Sequence, residues 1–257
     1  MTIAGSDSGG NAGIQADLRV FHDYRIHGCT VLAALTAQNP NGVYGIHKVS
    51  ADFVSAQLNA VLGIYSIAAL KTGMLSDPAV IEAVADRLER HPEISKVIDP
   101  VMVATSGARL AEKGSVDALK RKLLPLAKVI TPNIPEAEIL AGVGISGMED
   151  MQEAAKRLHG AYGCSVLVKG GHSGGCSGAA EDLFFDGREF VGYSLPWIEN
   201  PVSTHGTGCS LAAAIAAELA LGSGVRAAVE GAKGYVHRAI ADSYLVGMHC
   251  GVLGFGR

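Results

Sequence analysis

Short apolar runs of strand length alternate along this chain with segments whose apolar residues recur every three or four positions. The first run, Thr2-Ile3-Ala4, ends at Gly5-Ser6-Asp7-Ser8-Gly9-Gly10-Asn11, a stretch too rich in Gly, Ser and Asp for helix or strand. From Ala12 onward, Ile14, Leu18 and Phe21 fall at helical spacing, with Asp17 and Arg19 on other faces. Residues 29–35 predict a strand, 36–42 a polar loop carrying Gln38, Asn39 and Pro40, and 43–49 an alternating, exposed strand. A helix through Val54, Leu58 and Val61 follows, then a strand at 67–70. Ser76-Asp77-Pro78 signals a helix start with Pro in the first turn, and that helix runs to about residue 90. Residues 96–98 form a strand that stops at Asp99-Pro100, 116–124 a helix, and 128–130 a strand closed by Thr131-Pro132-Asn133. Helices at 136–140 and 148–159 precede a strand at 165–168 ending on Lys169-Gly170-Gly171-His172. An Asp186-Gly187 turn between the apolar runs of 182–193 predicts a hairpin. Helices at about 207–221 and 225–243 complete the chain.

Strands alternating with helices imply right-handed βαβ units and a mainly parallel sheet covered on both faces. No repeat, linker or low-complexity stretch interrupts the alternation, so residues 1–257 read as one domain. Ligands bind beyond the carboxyl ends of the strands in such folds. Here those ends carry nearly all the unusual polar chemistry: Gly5-Ser6-Asp7, Gln38-Asn39, Lys71-Thr72-Gly73-Met74, Asp99-Pro100, Thr131-Pro132-Asn133 and Lys169-Gly170-Gly171. Because the chain opens almost directly on its first strand, that strand is expected to fray.

Composition narrows the class. Hydrophobic residues make up 48% of the chain and charged ones 18%, enough for a sizeable core and against disorder. The net charge of −4, with no Lys/Arg cluster, speaks against nucleic acid or an anionic membrane as partner. Five scattered cysteines without metal-ligand spacing suit a reducing compartment. No basic leader opens the sequence, and its most apolar run falls short of the ~20 residues of a membrane span. A soluble cytoplasmic protein is expected.

The strongest local signal is Ser203-Thr204-His205-Gly206-Thr207-Gly208-Cys209-Ser210, a glycine-spaced turn feeding an alanine-rich helix. Such a helix start presents unpartnered N–H groups and partial positive charge to an anion, and it would favour the thiolate of Cys209. A capped core helix with a chance cysteine is the plain alternative. Neither GxxxxGK[ST] nor GxGxxG opens the first strand–helix unit, so a P-loop is absent and a dinucleotide site unsupported. Asp99 ends a buried strand, where a carboxylate requires a partner or a metal; it also suits a turn before Pro. Asn133 and Glu136 supply further oxygen atoms of the kind Mg²⁺ shares with phosphates, though Glu136 also fits a simple helix-start role. Lys169 is a candidate phosphate cation, or a snorkelling surface lysine. A cation, a metal site and an anion hole on one rim together describe phosphoryl transfer. Across the rim, Asp17 and Gln38 can read a small polar ring, with Met74 and Met102 as soft apolar contacts. Singly, Asp17 reads as a solvated helix residue and each Met as core.

Set side by side, the motif of residues 4–17, Asp99-Pro100-Val101-Met102, Thr131-Pro132-Asn133-Ile134-Pro135-Glu136-Ala137, Val168-Lys169-Gly170-Gly171-His172 and Thr204-His205-Gly206-Thr207-Gly208-Cys209 resemble the hydroxymethylpyrimidine/phosphomethylpyrimidine kinases of thiamine biosynthesis over nearly the whole chain. The resemblance implies a ribokinase-like three-layer α/β/α sandwich and a homodimer. It further implies ATP- and Mg²⁺-dependent phosphorylation of 4-amino-5-hydroxymethyl-2-methylpyrimidine and then of its monophosphate. By position it implies Gly5, Asp17 and Gln38 as pyrimidine-binding residues, with Ala12, Met74 and Val101 lining the pocket. Asp99 and Glu136 match the magnesium and phosphate region, and Lys169 and Thr204 the ATP side. Gly206, Thr207, Gly208 and Cys209 match the anion hole. Asn11 departs from the small residue many members carry there. Pyridoxal kinases of the same superfamily are the neighbouring reading, from which Gln38-Asn39 distinguishes this chain; a silent pyrimidine-binding sensor is the other.

Overall fold

A computed structural model describes residues 1–102, 114–171, 179–248 and 250–256, leaving His172 and Cys176 outside the described residues. The first half of the chain forms β1 (Thr2–Asp7), α1 (Gly13–Asp23), β2 (Thr30–Asn39), β3 (Gly42–Lys48), α2 (Ala51–Leu62), β4 (Ala69–Thr72), α3 (Pro78–Leu88), β5 (Ser95–Ile98) and α4 (Ser115–Ala118). Then come β6 (Val129–Ile130), α5 (Ile134–Ala141), α6 (Met148–Tyr162), β7 (Ser165–Lys169), β8 (Ala179–Phe185) and β9 (Phe190–Pro196). The chain ends in α7 (Thr207–Ala220), α8 (Val225–Ala241) and the hairpin β10 (Tyr244–Val246) and β11 (Cys250–Val252).

Nine strands share one sheet in the order β3-β2-β1-β4-β5-β6-β7-β8-β9. The six from β2 to β7 in that order run parallel, and β3, β8 and β9 pair antiparallel at the edges. The expected mainly parallel sheet with helices on both faces is therefore present. On one face, Val54 and Leu58 of α2, Val80 and Val84 of α3, and Met151 and Leu158 of α6 pack with Ile3, Leu70, Ile98, Ile130 and Val168 of the strands. On the other, Val20 and Phe21 of α1, the small side chains of α7, and Val229 of α8 pack with Ala69, Val97, Val129 and Leu167. The chain leaves β1 toward β2 and β3, then returns to build β4 on β1's other side. That reversal opens a crevice at the carboxyl ends of β1 and β4.

Three expectations change. Residues 36–39 are strand rather than loop: β2 continues to Asn39, paired to β3 and, through Thr36, to Asp7 of β1, with a shift of register between Ala37 and Gln38. Its polar composition reflects a strand end that faces the crevice. β1 is not frayed, because it lies between β2 and β4 and Ile3 is fully buried. The helix expected at 116–124 is instead the short α4, a wide turn over Leu119–Leu123 and a 3₁₀ turn over Leu124–Leu126, where Pro125 cannot donate to a continuing helix. The β10–β11 hairpin carried no clear sequence signal. Among the described residues, no helix is long and apolar enough to cross a membrane.

Candidate active site

Strand parity aims the charged residues at one place. Leu70, Ile98, Ile130 and Val168 face the α2–α6 layer, so the residue that follows each, at a period of two, faces α1 and α7. Those four residues are Lys71, Asp99, Thr131 and Lys169. Lys169 Nζ lies 2.7 Å from Asp99 Oδ1, which also accepts the Thr131 hydroxyl at 2.9 Å. Beyond them a cleft open to solvent is lined by Asp99, Lys169, Glu136, Gly208 and Cys209 together with Gly5, Ala12, Gln38, Met74 and Val101.

The start of α7 forms one wall. Gly206 is its N-cap at φ 87°, without a side-chain cap, so the first-turn N–H groups are left for a ligand. A Cβ on Gly206 would fall on the carbonyl oxygen of Asn11, so only glycine lets the turn and the β1–α1 loop meet. A Cβ on Gly208 would sit 3.6 Å from Lys169 Nζ, which places the ammonium beside the helix start. Thr207 opens the helix but does not line the cleft, and Thr204 is exposed away from it.

The adjoining β1–α1 loop depends on Asp7, a residue whose role sequence reasoning missed. Its Oδ1 accepts the Gly9 N–H at 2.8 Å, and its Oδ2 those of Asn11 and Ala12 at 2.9 Å each. The carboxylate thus folds the loop around itself; the signal was an Asp two residues before Gly9-Gly10. Ser8 Oγ receives the Gln38 backbone N–H and donates to the Gln38 carbonyl, both at 2.8 Å. The Thr36 hydroxyl, which donates to the Ser6 carbonyl at 2.9 Å, also lies 3.1 Å from the Gln38 side-chain oxygen and shares its proton with the amide. His205 also lines the cleft; burial lowers its pKa, and its buried Nε2 has no hydrogen-bond partner among the described residues. Met102 is core rather than lining, and its N–H donates to Glu136 Oε1 at 3.3 Å.

Asp17 is corrected on both counts. It is neither solvated nor a wall of the cleft: fully buried, it holds Lys71 Nζ at 3.0 Å and the Thr2 hydroxyl at 2.6 Å. A charged helix residue facing a sheet that offers a lysine at the right parity is drawn in as a pair.

Glu136 and Asn133 form a reciprocal capping box at the start of α5, each bond 2.9 Å. Burial raises the Glu136 carboxyl to about 7, with Asp99 adding to the rise and Lys169 opposing it. Burial works against the Lys169 ammonium, but Asp99 and Glu136 outweigh it and the pKa rises. Burial also raises the Cys209 thiol despite Lys71 nearby, so the thiolate expected from the helix field alone is not favoured. Among the described residues no group of three acidic, His or Cys side chains forms a metal cage. Two cleft-lining carboxylates do suit Mg²⁺ held jointly with phosphate oxygens and water.

Comparison with known proteins agrees with this chemistry. Residues 7–254 match the phosphomethylpyrimidine kinase family. The hydroxymethylpyrimidine/phosphomethylpyrimidine kinase of Haemophilus influenzae is 46% identical, covering 96% of this chain and 92% of that protein. The thiamine biosynthesis bifunctional protein of Geobacter sulfurreducens is 49% identical over 93% of this chain, which spans about half (48%) of its length. The pyridoxal kinase of Bacillus subtilis, solved as an ADP complex, superposes with a TM-score of 0.89 at 36% identity, covering 99% of this chain and 96% of that one. The chain belongs to the phosphomethylpyrimidine kinase family.

Proposed function

We infer that this protein transfers the γ-phosphoryl group of ATP to the hydroxymethyl oxygen of 4-amino-5-hydroxymethyl-2-methylpyrimidine and then to the resulting monophosphate. The single observation that carries the reading is the convergence of Lys169, the uncapped start of α7 and two carboxylates on a cleft that the Gln38 amide also lines. Gln38, with donor and acceptor side by side, suits the aminopyrimidine edge, while Gly5, Ala12, Met74 and Val101 give the ring an apolar seat. Lys169 exchanges part of its pairing with Asp99 for the phosphate, and the N–H groups from Gly206 to Cys209 receive the transferring phosphoryl. Preorganised donors of this kind contribute roughly 3–4 kcal/mol each. Asp99 and Glu136 would hold Mg²⁺, which supplies charge neutralisation for the phosphates. Cys209 donates to the anion as the neutral thiol that burial favours, and could take the hydroxyl proton only in its thiolate form. Thr204 and Thr207 have no contact role in this scheme; Thr207 serves as the first helical residue.

The test is incubation with Mg-ATP and either the pyrimidine alcohol or pyridoxal, with ADP and products followed by chromatography. Pyrimidine monophosphate followed by diphosphate is expected; ADP with pyridoxal alone would support a pyridoxal kinase instead. Tight pyrimidine binding without ADP from any acceptor would leave a sensor. A cytoplasmic homodimer is part of the proposal; exposed Tyr44, Ile46 and Phe53 near the β3 edge offer apolar surface for a second copy. Sedimentation at a single protomer mass would remove that part.

A further inference from the structure

Leu167 of β7 pairs with Phe184 of β8, and both pack in the layer of α7 and α8; two residues further on, Lys169 pairs with Asp182. Residues opposite one another in a ladder point to the same face, with Cβ atoms about 4.5–5.5 Å apart. Asp182 therefore stands beside Lys169 on the same face of the sheet, and its carboxylate is a rival for the ammonium. It is engaged elsewhere. Its Oδ1 accepts the buried Gly170 N–H at 2.8 Å, and its Oδ2 holds Lys233 Nζ at 2.5 Å. Lys233 comes from α8, where Val229, Ala232 and Val236 mark the same buried helical face. A lysine in the middle of such a face requires a reason. Stability is a poor one, since apolar side chains of similar volume replace a buried ion pair without loss. The Lys233 and Asp182 side chains are only 12% and 6% exposed, and neither lines the cleft, so neither touches a substrate.

We propose that Lys233 is a positioning residue for Lys169: it occupies Asp182, so that the carboxylate across the ladder does not compete with the phosphates of the nucleotide. The proposal rests on the reading of Lys169 as the phosphate cation. Charges of alternating sign then lie in sequence: Asp99 at the end of β5, Lys169 on β7, Asp182 on β8 and Lys233 on α8. Lys169 pairs with Asp99, which itself lines the cleft and can meet the incoming phosphates through Mg²⁺. A carboxylate partner outside the cleft would instead hold the ammonium back from them. Asp182 cannot simply be replaced by an apolar residue, because the buried Gly170 N–H would lose its acceptor, and an unpartnered buried donor is destabilising. Lys233 lets that acceptor stay while it answers the charge.

Calorimetric titration of the whole protein with AMP-PCP and Mg²⁺ reads nucleotide affinity without turnover. In Lys233→Met the Kd for AMP-PCP rises about fivefold or more, as expected when one opposite-charge pair across a ladder must be broken, while the Kd for the pyrimidine alcohol stays within about twofold. The double variant Lys233→Met/Asp182→Asn keeps an acceptor for Gly170 but no rival charge, and its affinity returns to within about twofold of the parent. Where Lys233→Met does not fold, Lys233→Gln carries the same comparison, since its amide still donates to Asp182 without charge. A folded single variant that binds like the parent overturns the proposal. So does a double variant as weak as the single, which would show that the nucleotide needs Lys233 itself. Lys169→Met, titrated alongside, tests the reading beneath: parent-like affinity there removes Lys169 as the phosphate cation. A crystal structure of Lys233→Met is independent of that reading. Lys169 Nζ is expected within hydrogen-bond distance of Asp182, and Lys169 left on Asp99 alone contradicts the proposal.

Discussion

Replacing Gly206 by alanine adds one methyl group where two loops touch through their main chains. The N-cap sits at φ 87°, a left-handed conformation that costs an L-residue about 1–2 kcal/mol. The new Cβ would also meet the Asn11 carbonyl oxygen, with the Ala12 Cα at 3.7 Å. No side-chain rotation relieves a clash with backbone. The Asn11 and Ala12 segment cannot yield freely either, because Asp7 holds both N–H groups at 2.9 Å. The start of α7 and the substrate-side loop must therefore separate by roughly an ångström, a displacement that costs about 10²-fold in rate. Steady-state ADP release should show kcat/KM lowered about 10²-fold for both the alcohol and the monophosphate, and the thermal midpoint should fall by about 5 °C. Gly208→Ala is the control: its Cβ would make ordinary contact at 3.6 Å with a flexible lysine end, inside a helix. Its loss should stay below about tenfold, since alanine suits a helical position. A folded Gly206→Ala enzyme with kcat/KM within about twofold of the parent would refute the claim that this contact aligns the α7 start with the β1–α1 loop.

Other perturbations separate the roles of the remaining groups. Cys209→Asp places a permanent charge beside an acceptor that is already anionic in the second step, a repulsion of roughly 4 kcal/mol at about 4 Å and an effective dielectric of about 20. Phosphorylation of the monophosphate should therefore suffer more than that of the alcohol, and equal losses would contradict the reasoning. Gln38→Ala removes an amide that lines the cleft and that we propose meets the ring edge; it should raise KM for the pyrimidine by about 10- to 100-fold, with KM for ATP little changed. For Glu136, the folded protein holds a proton up to about 7 where the unfolded chain gives it up near 4.5. Stability without metal should thus fall as pH rises through that window. Glu136→Gln should flatten the slope; a slope retained in full would assign it to other groups.

The alternation of strands and helices was readable because each element follows its own hydrophobic period. Polar strand ends broke that rule. Residues 36–39 looked like a loop, since a strand end lining a cleft carries Gln38 and Asn39 instead of apolar residues. The convergence of Asp99, Glu136, Lys169, Gly206, Gly208 and Cys209 on one cleft was equally legible, because charged or glycine-rich stretches there close apolar strands or open a helix. Asp17 was not. Its partner Lys71 lies 54 positions away, and only the sheet order β1-β4 brings the two elements together. Asp7 was hidden differently: its role lies in backbone bonds to its own loop, which residue type alone does not reveal.

The most direct test of the site is a structure with ADP, Mg²⁺, a planar metal-fluoride mimic of the transferring phosphoryl group, and the pyrimidine alcohol. The mimic should lie within hydrogen-bond distance of Lys169 Nζ and the backbone N–H groups at the start of α7, with the acceptor oxygen in line and the ring edge against Gln38. A mimic seated away from that helix start, with Lys169 still paired only to Asp99, would contradict the account.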